Sequence, residues 1–145
     1  MTAYVDASIL LRVVLGRPGR LKQWKSIERP VVSALVEVEC LRTLDRLRIA
    51  ENVPDADVAV RRESIYRLLN AFEIVDVSRA ILDRAAQPLP VTLGTLDAIH
   101  LATAVLWRER TGDAIVVATH DRSLGLAARA VGLTVLGLPS EPNRP

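Results

Sequence analysis

The stretch Ala114–Thr119, AIVVAT, has no polar side chain before its last residue and is mostly β-branched. A strand with one wet face alternates apolar and polar residues, whereas a strand covered on both faces reads as one continuous apolar run. The run therefore predicts a strand inside a parallel sheet with helices on either side. Asp121 follows almost at once, and Ser123–Val131, stopped by Gly132, reads as the next helix. The unit is strand, acid, helix.

The same unit opens the chain. Ala3–Val5 is a short apolar run, Asp6 follows, and Ala7–Leu15 carries apolar residues at helical spacing until Gly16, Pro18 and Gly19 mark a turn. A short helical piece is expected at Leu21–Ile27 and a second strand at Pro30–Val32. Ser33 is placed to cap a helix over Ala34–Leu47, where Leu35, Val38, Leu41 and Leu44 form an apolar stripe. After a loop at Ala50–Ala56 come a helix at Asp57–Leu69, a β-rich segment at Phe72–Val77, and Ser78 capping Arg79–Ala86. Pro88 and Pro90 break the pattern before Thr95–Trp107, TLDAIHLATAVLW, a helix with Asp97 at its mouth. A last strand is expected at Thr134–Leu136. Alternating strands and helices argue for a single α/β domain over residues 1–138, with a mainly parallel sheet of about five strands, and a short flexible tail at 139–145.

Composition narrows the class. Half of the 145 residues are apolar but only 3% are aromatic, so the core must come from Leu, Val, Ile and Ala. The lone Cys40 excludes an internal disulfide and reads as a small buried side chain. No apolar run approaches the ~18 residues of a membrane span, and MTAYVDASIL lacks the basic start of a secretory signal, so a cytoplasmic protein is expected. Net charge is +2, and all cationic residues except Lys22 and Lys25 are arginines, a bias that suits bidentate phosphate contacts. Neutralising four acids would leave a balance of +6 and a surface able to hold a polyanion.

Four acids stand just after predicted strands or in the early turns of helices: Asp6, Glu39, Asp97 and Asp121. Ligands of open α/β sheets gather outside the carboxyl ends of the strands, where Asp6 and Asp121 fall by position alone. Carboxylates crowded together repel, and a divalent cation removes the conflict. With oxygen donors and no Cys or His, Mg²⁺ or Mn²⁺ suits such a site better than Zn²⁺, and can activate a water for attack on a phosphate. Alone, Asp97 reads first as a capping or first-turn carboxylate favoured by the helix dipole, and it is the company of the other three acids that points to a site. Glu37 and Glu39 lie about 100° to either side of Val38, so the helical stripe does not choose between them. His100 and His120 sit beside these acids and are read as structural or supporting side chains, not as a general base.

The motifs YVDAS (residues 4–8), SALVEVECLR (33–42), TLDAIHLATA (95–104) and ATHDRSL (118–124) together resemble the PIN-domain ribonucleases, specifically the VapC-like toxins of toxin–antitoxin pairs. The resemblance spans nearly the whole chain with the motifs in order. It implies a five-stranded parallel sheet flanked by helices on both faces and cleavage of RNA with Mg²⁺ or Mn²⁺, leaving 5′-phosphate and 3′-hydroxyl ends. It also implies a small antitoxin partner and a homodimer. Carried over by residue, it makes Asp6 and Asp97 direct metal ligands, with Glu39 rather than Glu37, and Asp121, completing the pocket through water. Ser8 and Thr119 would orient carboxylates or waters, although Ser8 could also be a helix cap and Thr119 an ordinary strand residue. Arg12, Arg42 and Arg122, nearest the motifs, are candidates for gripping RNA phosphates.

Other classes fit less well. A receiver domain would show paired acids after its first strand and a late Lys; a haloacid-dehalogenase-type phosphatase would need an acid where Ser8 stands. A PIN-like module that binds RNA without cutting, and a nuclease for structured DNA, stay open as alternatives.

Overall fold

The computed structural model describes residues 1–139, so the tail from 140 onward lies outside the described residues. Five strands, β1 (Thr2–Val5), β2 (Arg29–Ser33), β3 (Glu73–Val75), β4 (Val116–Ala118) and β5 (Thr134–Leu136), make one sheet in the order β3-β2-β1-β4-β5. Every neighbouring pair is parallel. The helices are α1 (Ala7–Val14), α2 (Leu35–Ala50), α3 (Asp55–Asn70), α4 (Arg79–Ala85), α5 (Thr95–Thr111) and α6 (Arg122–Ala130).

The chain winds outward from β1 through β2 to β3, then returns past β1 by way of α4 and α5 to build β4 and β5 on the other side. The reversal falls between β1 and β4, the place in such sheets where a crevice opens at the strand ends. Register fixes what lines it. Val5 stands opposite Ala118, and the Asp6 N–H donates to the Ala118 carbonyl at 3.0 Å, so Asp6 and Thr119 leave their strands at the same level.

Strand alternation divides the core in two. Ala3, Val5, Val32 and Ala118 face α1, α2 and α3, while Tyr4, Val31 and Val117 face α5 and α6. Leu10, Leu44 and Ile65 are almost wholly excluded from water, so truncating any of them to Ala is expected to remove about 2–5 kcal/mol of stability. Buried on most of its circumference, α5 is covered on its outer side by α4, through Ile81, Ile99 and Ala102. It ends at Gly112, whose φ of +73° and N–H bond to Arg108 make an ordinary left-handed stop.

Two local expectations change. The helix expected at Leu21–Ile27 is only a 3-10 turn at Trp24–Ser26, because Leu21 is buried as an anchor of a loop instead of belonging to an amphipathic face. On α2 the inward row is Val36, Cys40 and Leu44, at i, i+4 spacing, and Val38 is 57% exposed. Both rows are apolar in sequence, and only the packing of α2 in the fold selects one.

Candidate metal centre

Asp6 is the first residue beyond β1 and the N-cap of α1, and it is 6% exposed. Its Oδ2 accepts from Ser8 Oγ at 2.6 Å, from the Ser8 N–H at 3.4 Å and from Thr119 Oγ1 at 2.9 Å. All three bonds fall on one oxygen, Oδ2, and among the described residues none falls on Oδ1. The hydroxyls are themselves held: Ser8 Oγ accepts from the His120 N–H at 3.0 Å, and Thr119 Oγ1 from the Asp121 N–H at 2.9 Å. Ser8 and Thr119 thus stitch the end of β1 to the end of β4. Asp121 caps α6, its Oδ1 accepting from the Leu124 N–H at 2.9 Å, and it stays exposed at the rim.

Glu39 reaches the same place from α2. Leu35, one turn earlier on that helix, packs against the α4–α5 cluster, and Glu39 projects on the same side, whereas Glu37 is exposed. Glu39 Oε1 accepts from His100 Nε2 at 2.6 Å, and His100 Nδ1 lies 2.5 Å from Tyr4 Oη. One donor atom each from Asp6, Glu39 and His100 falls within 4.8 Å of the others. Asp97 lies outside that trio, half-buried in the first turn of α5.

The electrostatics record the crowding. Partial burial, then the charges of Asp121, Asp6 and Glu39, raise the Asp97 carboxyl above its usual value despite the opposing pull of His100, so the four acids share one field. Burial by itself would lower the His100 imidazole, but its bond to Glu39 and the charges of Glu39, Asp6 and Asp97 outweigh it and hold the value raised. Burial, then Asp6 and Glu39, keeps the Tyr4 phenol protonated well above its ordinary range. Clustered carboxylates with unused oxygens suit a hard divalent cation, and the imidazole nitrogen nearest them is already committed to Glu39.

A cleft of about 470 Å³ opens beside the acids, between the C-terminal half of α1, the following loop, Thr43 of α2, and His120 with Asp121. Leu11, Leu15 and Pro18 give it an apolar wall, and Arg12 and Arg17 line it with positive charge. The Arg12 guanidinium donates to the Pro18 carbonyl at 2.8 Å, and Arg17 is half-exposed, 3.6 Å from Glu51. His120 is pinned by its Nδ1–H bond to the Gly137 carbonyl at 2.8 Å. Arg42 does not line the cleft; it is exposed on α2 with Asp45 at 3.7 Å, and Arg122 is the exposed first residue of α6. Arg17 had no motif in the sequence to single it out, and Tyr4, although it opens YVDAS, gains a role only from its neighbours in the fold.

The described residues contain no helix long and apolar enough to cross a membrane. A family model described as PIN domain matches residues 3–130. Ribonuclease VapC46 of Mycobacterium tuberculosis (strain ATCC 25618 / H37Rv) is 32% identical over 137 residues, covering 92% of this chain and 95% of the relative. Ribonuclease VapC47 of M. tuberculosis (strain CDC 1551 / Oshkosh) is 29% identical over 132 residues, covering 89% and 91%. Among solved structures, a chain of a toxin–antitoxin complex from Klebsiella pneumoniae superposes with a TM-score of 0.66 at 19% identity, over 96% of this chain and 97% of that one. The crystal structure of PAE2754 from Pyrobaculum aerophilum gives 0.57 at 19% identity, over 93% and 83%. These structures share the fold.

Proposed function

Because the chain belongs to the PIN-domain family and has VapC ribonucleases among its relatives, we propose that it is a divalent-cation-dependent endoribonuclease serving as the toxin of a toxin–antitoxin pair. The observation that carries this reading is the meeting of acids from the ends of β1 and β4 with acids of α2 and α5 at the point where strand order reverses. Asp6 and Asp97 are the proposed direct ligands, with Glu39 and Asp121 reaching the ion through water. Ser8 and Thr119 hold Asp6 by one oxygen, and the other is the proposed ligand atom. Bound Mg²⁺ or Mn²⁺ supplies Lewis acidity, easing deprotonation of the attacking water and offsetting charge on the phosphate.

The protein's own part is placement. Arg12 and Arg17 line the cleft next to Ser8 and Asp121, where an RNA strand leaving the acids would pass. Arg42 and Arg122 lie outward of it and are the proposed contacts for phosphates farther along the strand. The apolar wall of Leu11 and Leu15 offers a surface for a base or sugar. A neutralising antitoxin is proposed to lie across the acids and place a basic side chain among them. A homodimer in the cytoplasm completes the reading.

The test is incubation of the partner-free chain with total RNA and Mg²⁺ or Mn²⁺, and separately with chelator. Discrete cation-dependent fragments with 5′-phosphate ends, absent for Asp6→Ala and Asp97→Ala, are expected. Intact RNA bound equally well in chelator would establish a binding module instead, and cleavage confined to branched DNA would overturn the substrate.

A further inference from the structure

Tyr4 and His100 are both fully buried, and the hydrolytic chemistry above uses neither. Burying an imidazole and a phenol is unfavourable unless each is hydrogen-bonded, and here the bonds form one chain, Tyr4 Oη to His100 Nδ1 and His100 Nε2 to Glu39 Oε1, at 2.5 and 2.6 Å. The two rings meet edge to face with centroids 6.0 Å apart, which leaves the imidazole little freedom to turn. The chain also ties together the three elements that deliver the inner acids. Tyr4 is on β1 two residues before Asp6, His100 is on α5 one turn after Asp97, and Glu39 is on α2.

We propose that His100, held by Tyr4, is a positioning residue that fixes the Glu39 carboxylate for the cation. The proposal rests on reading Glu39 as part of the metal centre. A glutamate has three rotatable side-chain bonds, and ordering them costs conformational entropy that a preformed hydrogen bond offsets before the ion arrives. Glu39, 25% exposed and inside a helix, has no cap or hydroxyl pair such as holds Asp6. His100 fills that role by engaging Oε1, so that Oε2 is presented already ordered. Asp6 and Glu39 then follow one design, in which one oxygen is anchored by protein and the other left for the cation.

The experiment compares the parent with His100→Leu, His100→Gln and Tyr4→Phe, each also in a Glu39→Gln background. Mn²⁺ affinity is read by titration calorimetry, and thermal stability and RNA affinity are measured in chelator. His100→Leu removes the donor and is expected to weaken Mn²⁺ binding roughly 10–100-fold. His100→Gln keeps an amide donor near the Nε2 position and should recover most of that loss. Tyr4→Phe keeps the packing and should show a smaller loss of a few-fold. RNA affinity in chelator should not move, and with Glu39→Gln already present His100→Leu should weaken Mn²⁺ binding no further. A folded His100→Leu protein with parental Mn²⁺ affinity would overturn the proposal, as would an equal loss in His100→Gln or an undiminished loss in the Glu39→Gln background. Because Mn²⁺ titration needs no cleavage, a parent that binds the ion but leaves RNA intact would count against the nuclease and not against this assignment.

Discussion

Asp97 is the side chain whose environment opposes it most plainly. Its carboxyl is raised by partial burial and by Asp121, Asp6 and Glu39, so the folded, metal-free protein binds a proton there that the unfolded chain, near the ordinary Asp value of about 3.9, has already released. Stability falls with rising pH when the native state holds more protons, so Asp97 weakens the metal-free fold as pH climbs from about 4 through its raised native value, and the penalty stays constant above. Asp97→Asn is therefore expected to raise the melting temperature in chelator at pH 8 and to change it much less at pH 4. Mg²⁺ or Mn²⁺ should stabilise the parent more than the variant. An Asp97→Asn protein that melts lower than the parent at pH 8 would contradict the shared field. Cys40, beneath the same cluster, is pushed up to about 12 by burial and then by Glu39 and Asp6, so no useful thiolate exists at neutral pH. Iodoacetamide should leave it unmodified in the native protein and alkylate it on unfolding, followed by mass spectrometry.

At the scale of elements, the segment after β5 determines how firmly the end of β4 is held. Gly137 has φ +97°, and a Cβ added there would lie 2.5 Å from the Thr119 carbonyl oxygen and 3.3 Å from His120 Nδ1. Gly137→Ala is expected to cost roughly 1–3 kcal/mol, seen as a melting temperature several degrees lower. Because Thr119 and His120 hold the Asp6–Ser8 network, Mn²⁺ affinity should fall with it; lower stability at unchanged affinity would show that the two strand ends are not coupled. The strand–acid–helix units were legible because continuous apolar runs such as Ala114–Ala118 and the turn residues behind α1 and α6 are local signals. Thr134–Leu136 appears with its expected bounds, and the other strands and helices shift mainly at their ends. What could not be read was set by tertiary contact. Val38 and Val36 are equally apolar, and the sheet buries only the second; Leu21 anchors a loop where helical spacing suggested a helix. The positions of the acids were legible by motif and strand-end logic, but the link from Glu39 through His100 to Tyr4 spans 96 residues of sequence and has no local trace.

For the molecule as a whole, charge is distributed so that the acids converge at the strand ends while arginines line the cleft beside them. The formal charge of +2 therefore understates how the surface would meet a polyanion, since acidic residues among the seventeen Asp and Glu are drawn into the centre a cation would occupy. Binding driven by phosphate contacts releases counterions, and for a single strand the logarithm of affinity falls by roughly 0.7 per contact for each unit of log salt. If RNA runs along the cleft, Arg12→Gln and Arg17→Gln should each weaken binding of a short single-stranded RNA and reduce that slope by roughly 0.7, measured by fluorescence anisotropy in chelator between about 50 and 200 mM salt. Arg12 also fastens the loop through the Pro18 carbonyl, so Arg17, whose ion pair with Glu51 at 3.6 Å is loose and half-exposed, is the cleaner probe. Arg42→Gln provides the comparison, since Arg42, the proposed contact for a phosphate farther along the strand, lies outside the cleft beside Asp45. A slope lowered at Arg17 as much as or more than at Arg42 places the strand between α1 and the acids; a slope unchanged at Arg17 and lowered at Arg42 would move the path onto the outer face of α2.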